Sequence, residues 1–351
     1  SWSVTTDHTK RIIMLTVLTS APSFQVGRSS WLARVPSLAP PVCARLCATA
    51  GAAAQHLPAL SADEFAALAD AAMSDASLLD LAGRRVCLQE PFKVKGGSVL
   101  RVCNGTIEGN GHSIFQVSVN REGRLELCNV TLQHRASAER EEKRSRGAAL
   151  YAYKGFVELR DCNIRSEAGF GCWCVQKAKL RLIDCDVRET GRSAVVAFDA
   201  SEVELQGTTV ADAVQHAICA RGTSRVIVRS SRLERAELRA IYCYHSASLE
   251  VADSLIAGTL SDETAAIQVD ALRPGDASTI SLARVVFDAN AGGDLSVTGN
   301  VERCIGSDVV FAERKDDVVH AAASSRVRDE RLFDARGRRI AQEQREGQPH
   351  A

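Results

Sequence analysis

Val157-Glu-Leu-Arg-Asp-Cys-Asn-Ile164 returns 23 residues later as Leu180-Arg-Leu-Ile-Asp-Cys-Asp-Val187, and after another 23 as Val203-Glu-Leu-Gln-Gly-Thr-Thr-Val210. Residue identities change, but one pattern holds: apolar, variable, apolar, a polar corner, then an apolar residue at the eighth place. Alternation with a period of two is the mark of a strand with one buried face. A corner of Asp or Gly suits the left-handed backbone of a sharp bend. Each copy therefore reads as strand, bend, strand.

The pattern extends in both directions. Its reference position is Leu100, Leu125, Val157, Leu180, Val203, Val226, Leu249 and Ile280. The residues two and seven places later are Leu, Val, Ile or Phe in every copy. Asn104, Asn129, Asp161, Asp184, Gly207, Ser230 and Asp253 occupy the bend. A third strand lies eight residues before the reference, inward at Phe92, Val117, Ala149, Cys172, Val195, Ile218 and Ile241. Three strands per repeat, with no helix-period segment between them, predict coils stacked about 4.8 Å apart in a parallel β-helix. About eight coils of about 23 residues span 78–311.

The flanks differ. Residues 1–60 have no acidic residue between His8 and Ala62, and Lys10, Arg11, Arg28, Arg34 and Arg45 are spread among Ser, Ala and Pro. This reads either as a transit peptide from Met14 or as a leader without structure; a secretory signal ranks behind both. Ser61 and Glu64 have the spacing of a capping box, and Leu60 and Phe65 can staple it. Phe65, Leu68, Ala69, Ala72 and Met73 then share one face of a helix over 61–75 that would plug the open end of the solenoid. Two coils are longer: a charged insertion at 134–146 and a second near 272–277. The tail 312–351 is charged and aperiodic.

Net charge is formally zero and aromatic residues are 5% of the chain. Neither nucleic acid nor membrane is expected as a partner, and a monomer is expected. The twelve cysteines fall mostly on strand positions, which predicts reduced thiols and an intracellular or organellar location. Cys162, Cys185, Cys172, Cys174 and Cys243 point inward as a packed ladder rather than a zinc site. Cys103 and Cys128 are outward neighbours that an oxidised pair would suit. Asn104 and Asn129 begin glycosylation-type triplets but are read as bend residues.

Asn104-Gly-Thr-Ile-Glu-Gly-Asn-Gly-His112, Leu125-Glu-Leu-Cys-Asn-Val-Thr-Leu132 and the 157–164 stretch resemble the right-handed parallel β-helix repeats of the pectin-lyase-like superfamily. Such repeats occur in carbohydrate-binding proteins, sugar hydrolases and some F-box scaffold proteins. The resemblance covers about 230 residues. It implies an all-β, right-handed parallel β-helix, and it is nearly silent on activity. It also implies that the outer face of the strand following the most variable turn is the place to look for a site.

That face is the third-strand ladder: Trp173, Val175, Val196, Phe198, Cys219, Arg221, Tyr242 and Tyr244, with Asp199 and His245 just beyond and Asp270 of uncertain register. Enzymes of the resembled class need clustered carboxylates there. Asp199, Arg221, His245 and Asp270 are the catalytic candidates, without an Asp–Asp pair, a His-Gly step or an Arg-Ile-Lys triplet. Trp173, Phe198, Arg221, Tyr242 and Tyr244 are the binding candidates, because rings on a rigid sheet can stack on sugar faces or anchor a protein. The reading is a non-catalytic module that binds a polysaccharide or a partner protein and needs no cofactor or metal. A polysaccharide lyase or glycoside hydrolase is the alternative, and a structural scaffold the third. Should the two insertions fold over the aromatic row, it would be a satellite core instead.

Overall fold

A computed structural model describes residues 57–94, 96–118, 123–136, 147–167, 169–273, 275–299 and 301–310, and the strands His320–Ala321 and Val327–Phe333. The leader, most of the charged insertion and most of the tail lie outside the described residues, so the expectations for them are not addressed.

The helix Ala62–Ser74 begins as its sequence predicts. Ser61 Oγ accepts from the Glu64 amide, and the Glu64 carboxylate accepts from the Ser61 amide at 2.8 Å. Two amides without intrahelical partners are thereby satisfied. Phe65, Ala69 and Ala72 are buried, and the Phe65 ring meets Phe92 of the first coil edge-on at 5.4 Å. Leu68 does not share that face; it is exposed. The buried stripe is one residue narrower than the sequence suggested, because Leu68 lies beyond the arc facing the coil.

The rest is a right-handed parallel β-helix of about nine turns. The reference residues pair in register as read: Leu100 with Leu125, then Val157, Leu180, Val203, Val226, Leu249 and Ile280. Coils are added at both ends, where Leu79 pairs with Val102 and Ile280 with Cys304. All seven bend residues have positive φ, from 50° at Ser230 to 62° at Gly207. Non-glycine residues at such angles are costly unless short and polar, which explains the Asn, Asp and Ser found there. Asn129 donates to Asn104 Oδ1 and Asn104 to Asp80 Oδ1, at 3.0 and 3.1 Å. Both glycosylation-type asparagines are therefore engaged in the bend.

Just past this bend, Cys162, Cys185, Thr208, Ser231 and Ser254 stack in successive coils. Each donates to the carbonyl two residues before it, for example Ser231 to Arg229 O at 2.7 Å. Four of these carbonyls, those of Ile183, Gln206, Arg229 and Ala252, also accept the bend amide of the preceding coil, so the small side chain supplies a second donor without filling the core. Cys172, Cys174 and Cys243 are wholly buried. Cys103 and Cys128 are cross-strand neighbours, as read, and both are buried.

Two register expectations change. In the third sheet Phe92 pairs with Phe115 and Phe115 with Leu150, so Val117 and Ala149 are not the equivalents of Phe92. Turn lengths vary in these first coils, so a constant offset from the reference fails there. The second insertion is split. Extra residues fall both before the strand Ile267–Ala271, around 258–264, and after it, around 272–277.

The first sheet's outer face is neutralised by pairs across coils, such as Arg101–Glu126 at 3.1 Å, Arg181–Glu204 at 2.9 Å and Arg229–Glu250 at 2.7 Å. Opposite charges on neighbouring strands make this a charge-paired solvent face.

Candidate binding face

The third sheet presents two outward rows along the solenoid axis. The first runs Gln116, Tyr151, Trp173, Val196, Cys219, Tyr242 and Gln268; the second runs Ser118, Tyr153, Val175, Phe198, Arg221, Tyr244 and Asp270. Asp270 is thus in register with Tyr244, which the sequence left undecided. Asp270 is the sole carboxylate at an outward strand position of this sheet among the described residues.

Rings gather at two places. Trp173 packs against Tyr151 at 5.4 Å and Phe170 at 5.2 Å, and the Arg192 guanidinium lies over Phe170. Three coils further on, Tyr242 and Tyr244 stack 5.0 Å apart at 20°. Arg221 lies between Tyr244 and Phe198, at 5.6 and 5.7 Å from the ring centres. Between the two groups, Val196 and Cys219 are 1% and 8% exposed although they point outward. They form a low apolar floor. The binding candidates Trp173, Phe198, Tyr242 and Tyr244 are half-buried, while Arg221 is exposed; most of the charged insertion lies outside the described residues, so whether it covers the row is not addressed.

Tyr242 is held from several sides. Its hydroxyl donates to Asp270 Oδ2 at 3.0 Å, and the Arg239 guanidinium lies 4.5 Å from its ring centre. Burial, and then the Asp270 charge, push its hydroxyl pKa up to about 12. Burial also raises that of Tyr244. His216 sits 5.3 Å from the Tyr242 ring with its Nδ1 unpartnered, and burial lowers its pKa to about 4. At neutral pH it is an uncharged imidazole on a cation-rich face.

The catalytic candidates do not come together as a carboxylate pair. Asp199 and His245 are bend residues with φ of 54° and 66°. Asp199 follows Phe198 and Asp270 pairs with Tyr244's coil, so the two acids stand three coils apart. At about 4.8 Å per coil that is about 14 Å along the axis, beyond the roughly 5–9.5 Å between glycosidase carboxyls. No group of three or more His, Cys, Asp or Glu suited to a metal occurs among the described residues. No helix among them is long and apolar enough to cross a membrane.

Tyr151, Tyr153, Phe170, His216, Arg239, Gln268 and Thr298 were missed in the sequence. The Tyr151-Ala-Tyr153 alternation carried a signal, but the offset error placed it out of line. His216 and Arg239 precede the inward Ile218 and Ile241 by two residues, a position the repeat also marks.

Residues 92–256 match the family model for the right handed beta helix region. Comparison with curated proteins finds no match. Among solved structures, the chain is similar to the A-module of the mannuronan C-5 epimerase AlgE4 of Azotobacter vinelandii, at 10% identity and a TM-score of 0.48, covering 73% of this chain and 85% of that one. It is also similar to the catalytic domain of Agl-KA, at 11% identity and a TM-score of 0.45, covering 71% of this chain and 54% of that one. Family model and coil register agree: residues 92–256 lie within a right-handed parallel β-helix.

Proposed function

We propose that this β-helix is a non-catalytic binding module whose third-sheet outer face takes an acidic glycan. The observation that carries the reading is the joining of rings and unpaired cations on one face. Lys154, Arg192, Arg221 and Arg239 each lie over an aromatic ring of this sheet. None of the four has an ion-pair partner among the described residues, whereas arginines of the other two sheets, such as Arg181, Arg229 and Arg235, do. A guanidinium on a ring face is partly desolvated and keeps its in-plane donors available for a carboxylate. Rings beside it offer flat apolar surface to a sugar. Acidic polysaccharide meets both demands.

The test is isothermal titration of the full chain with polygalacturonate and with its fully methyl-esterified form, followed by chromatography of the sugar. The expected result is binding to the acidic form alone, weakened by salt and by Trp173→Ala, Tyr244→Ala and Arg221→Ala, with the polymer recovered intact. Equal binding of both forms, cleavage products, or indifference to all three substitutions would overturn it.

A further inference from the structure

The polar end of this face is a closed circuit. Asp270 Oδ2 accepts from Tyr242 Oη at 3.0 Å and from Gln268 Nε2 at 2.9 Å, while Oδ1 accepts from Thr298 Oγ1. Gln268 Oε1 in turn accepts from Arg239 Nε at 2.6 Å, and the same guanidinium lies on the Tyr242 ring. Three neighbouring coils are tied through one carboxylate, since Tyr242 pairs with Gln268, and Gln268 with Ser296. Both oxygens of Asp270 are committed to donors inside the network. Its charge is spent on holding side chains rather than on moving a proton to or from a ligand.

From this geometry we infer that Asp270 is a positioning residue, which fixes Tyr242 against Tyr244 and Arg239 against Tyr242 so that the polar end of the face is preformed for an acidic sugar. This rests on the binding reading above and assigns a role within it. A phenol ring on a strand has two free torsions, and immobilising it on binding costs affinity. Here the hydroxyl is anchored one coil away, so that cost is met on folding. Arg239 is oriented the same way: Gln268 takes its Nε, leaving the outer nitrogens for a carboxylate. Asp270 itself would repel an acidic ligand if unpaired; its three donors reduce that repulsion.

The chain has four tyrosines, so their ultraviolet titration can be followed alongside binding. The variants are Asp270→Asn, Asp270→Ala, Tyr242→Phe and the double variant Tyr242→Phe/Asp270→Ala, each measured against polygalacturonate by titration calorimetry. Loss of the Asp270 charge should move one tyrosine down from about 12. Asp270→Ala and Tyr242→Phe should each weaken binding roughly tenfold, the size expected when a charged acceptor and its donor part. Asp270→Asn should recover part of the loss, and the double variant should be no weaker than Asp270→Ala. Additive losses in the double variant, or unchanged affinity in Asp270→Ala, would overturn the positioning role while leaving the binding face intact. A wild-type chain that binds no acidic glycan overturns the binding reading, and the role falls with it.

Discussion

Arg235 Nε and Nη2 donate to Asp212 Oδ1 and Oδ2 at 2.7 and 2.9 Å, joining two bend residues of neighbouring coils whose φ angles are 50° and 56°. The pair lowers the Asp212 pKa, chiefly through the hydrogen bonds from Arg235, and raises that of Arg235. Both side chains are more than a third exposed, so the geometry is good but the setting is screened.

Arg235→Met should therefore cost only about 0.5–1 kcal/mol at neutral pH, the upper range for a surface ion pair. A carboxylate held below its ordinary pKa contributes stability above that value and loses it as pH falls through the lowered one. The penalty of Arg235→Met should accordingly vanish once Asp212 is protonated in both proteins. Urea unfolding of the two over an acid series downward from pH 7 checks this; a penalty that stays constant across the whole series would trace instead to lost packing.

A second pH dependence has the opposite chemical origin. Burial lowers the pKa of His134 and of His216 from 6.5 to about 4, with smaller contributions from His112 and from Arg239 respectively. Between those values the unfolded chain binds protons that the fold excludes, so stability falls as pH drops from 6.5 to about 4 and levels off below. Replacing either histidine with Gln should remove about one proton from the slope of unfolding free energy against pH. Measured slopes identical to wild type in both variants would mean that these imidazoles protonate within the fold.

The thiols give a third expectation. Cys172 and Cys174 are wholly buried, and burial raises both thiol pKa values, that of Cys174 to about 12. Cys219 is also pushed up to about 12, although it lies on the floor of the candidate face. Thiolate is the reactive form. Among the nine cysteines whose side-chain burial is described, Cys87 alone is partly exposed. N-Ethylmaleimide on the native chain should thus modify Cys87 ahead of the other eight, read by peptide mass spectrometry. Rapid labelling of Cys172 or Cys174 would contradict the packing of the third sheet.

The repeat made the first two sheets legible down to single residues. Leu100 to Ile280 pair as their spacing requires, and the seven polar or glycine bend residues all take the left-handed conformation. Local chemistry is decisive there: period-two alternation selects the buried face, and the bend tolerates few side chains. The candidate face was legible only in part. Trp173, Phe198, Arg221, Tyr242 and Tyr244 stood where the offset placed them, because coils from Val157 to Leu249 share one length. Tyr151 and Tyr153 did not, since the longer turns around them shift the register.

What the sequence determined by itself is the solenoid: its strands, its bends, its capping helix and the inward course of most cysteines. Those follow from interactions between residues at fixed separation, repeated coil after coil. The tertiary structure decided which side chains meet across unequal turns. Asp270 stands beside Tyr244 because extra residues fall on both sides of its strand. No local rule could show that this acid, one of four catalytic candidates, spends both oxygens on Tyr242, Gln268 and Thr298. Its three donors come from three successive coils, and only stacking brings them within reach.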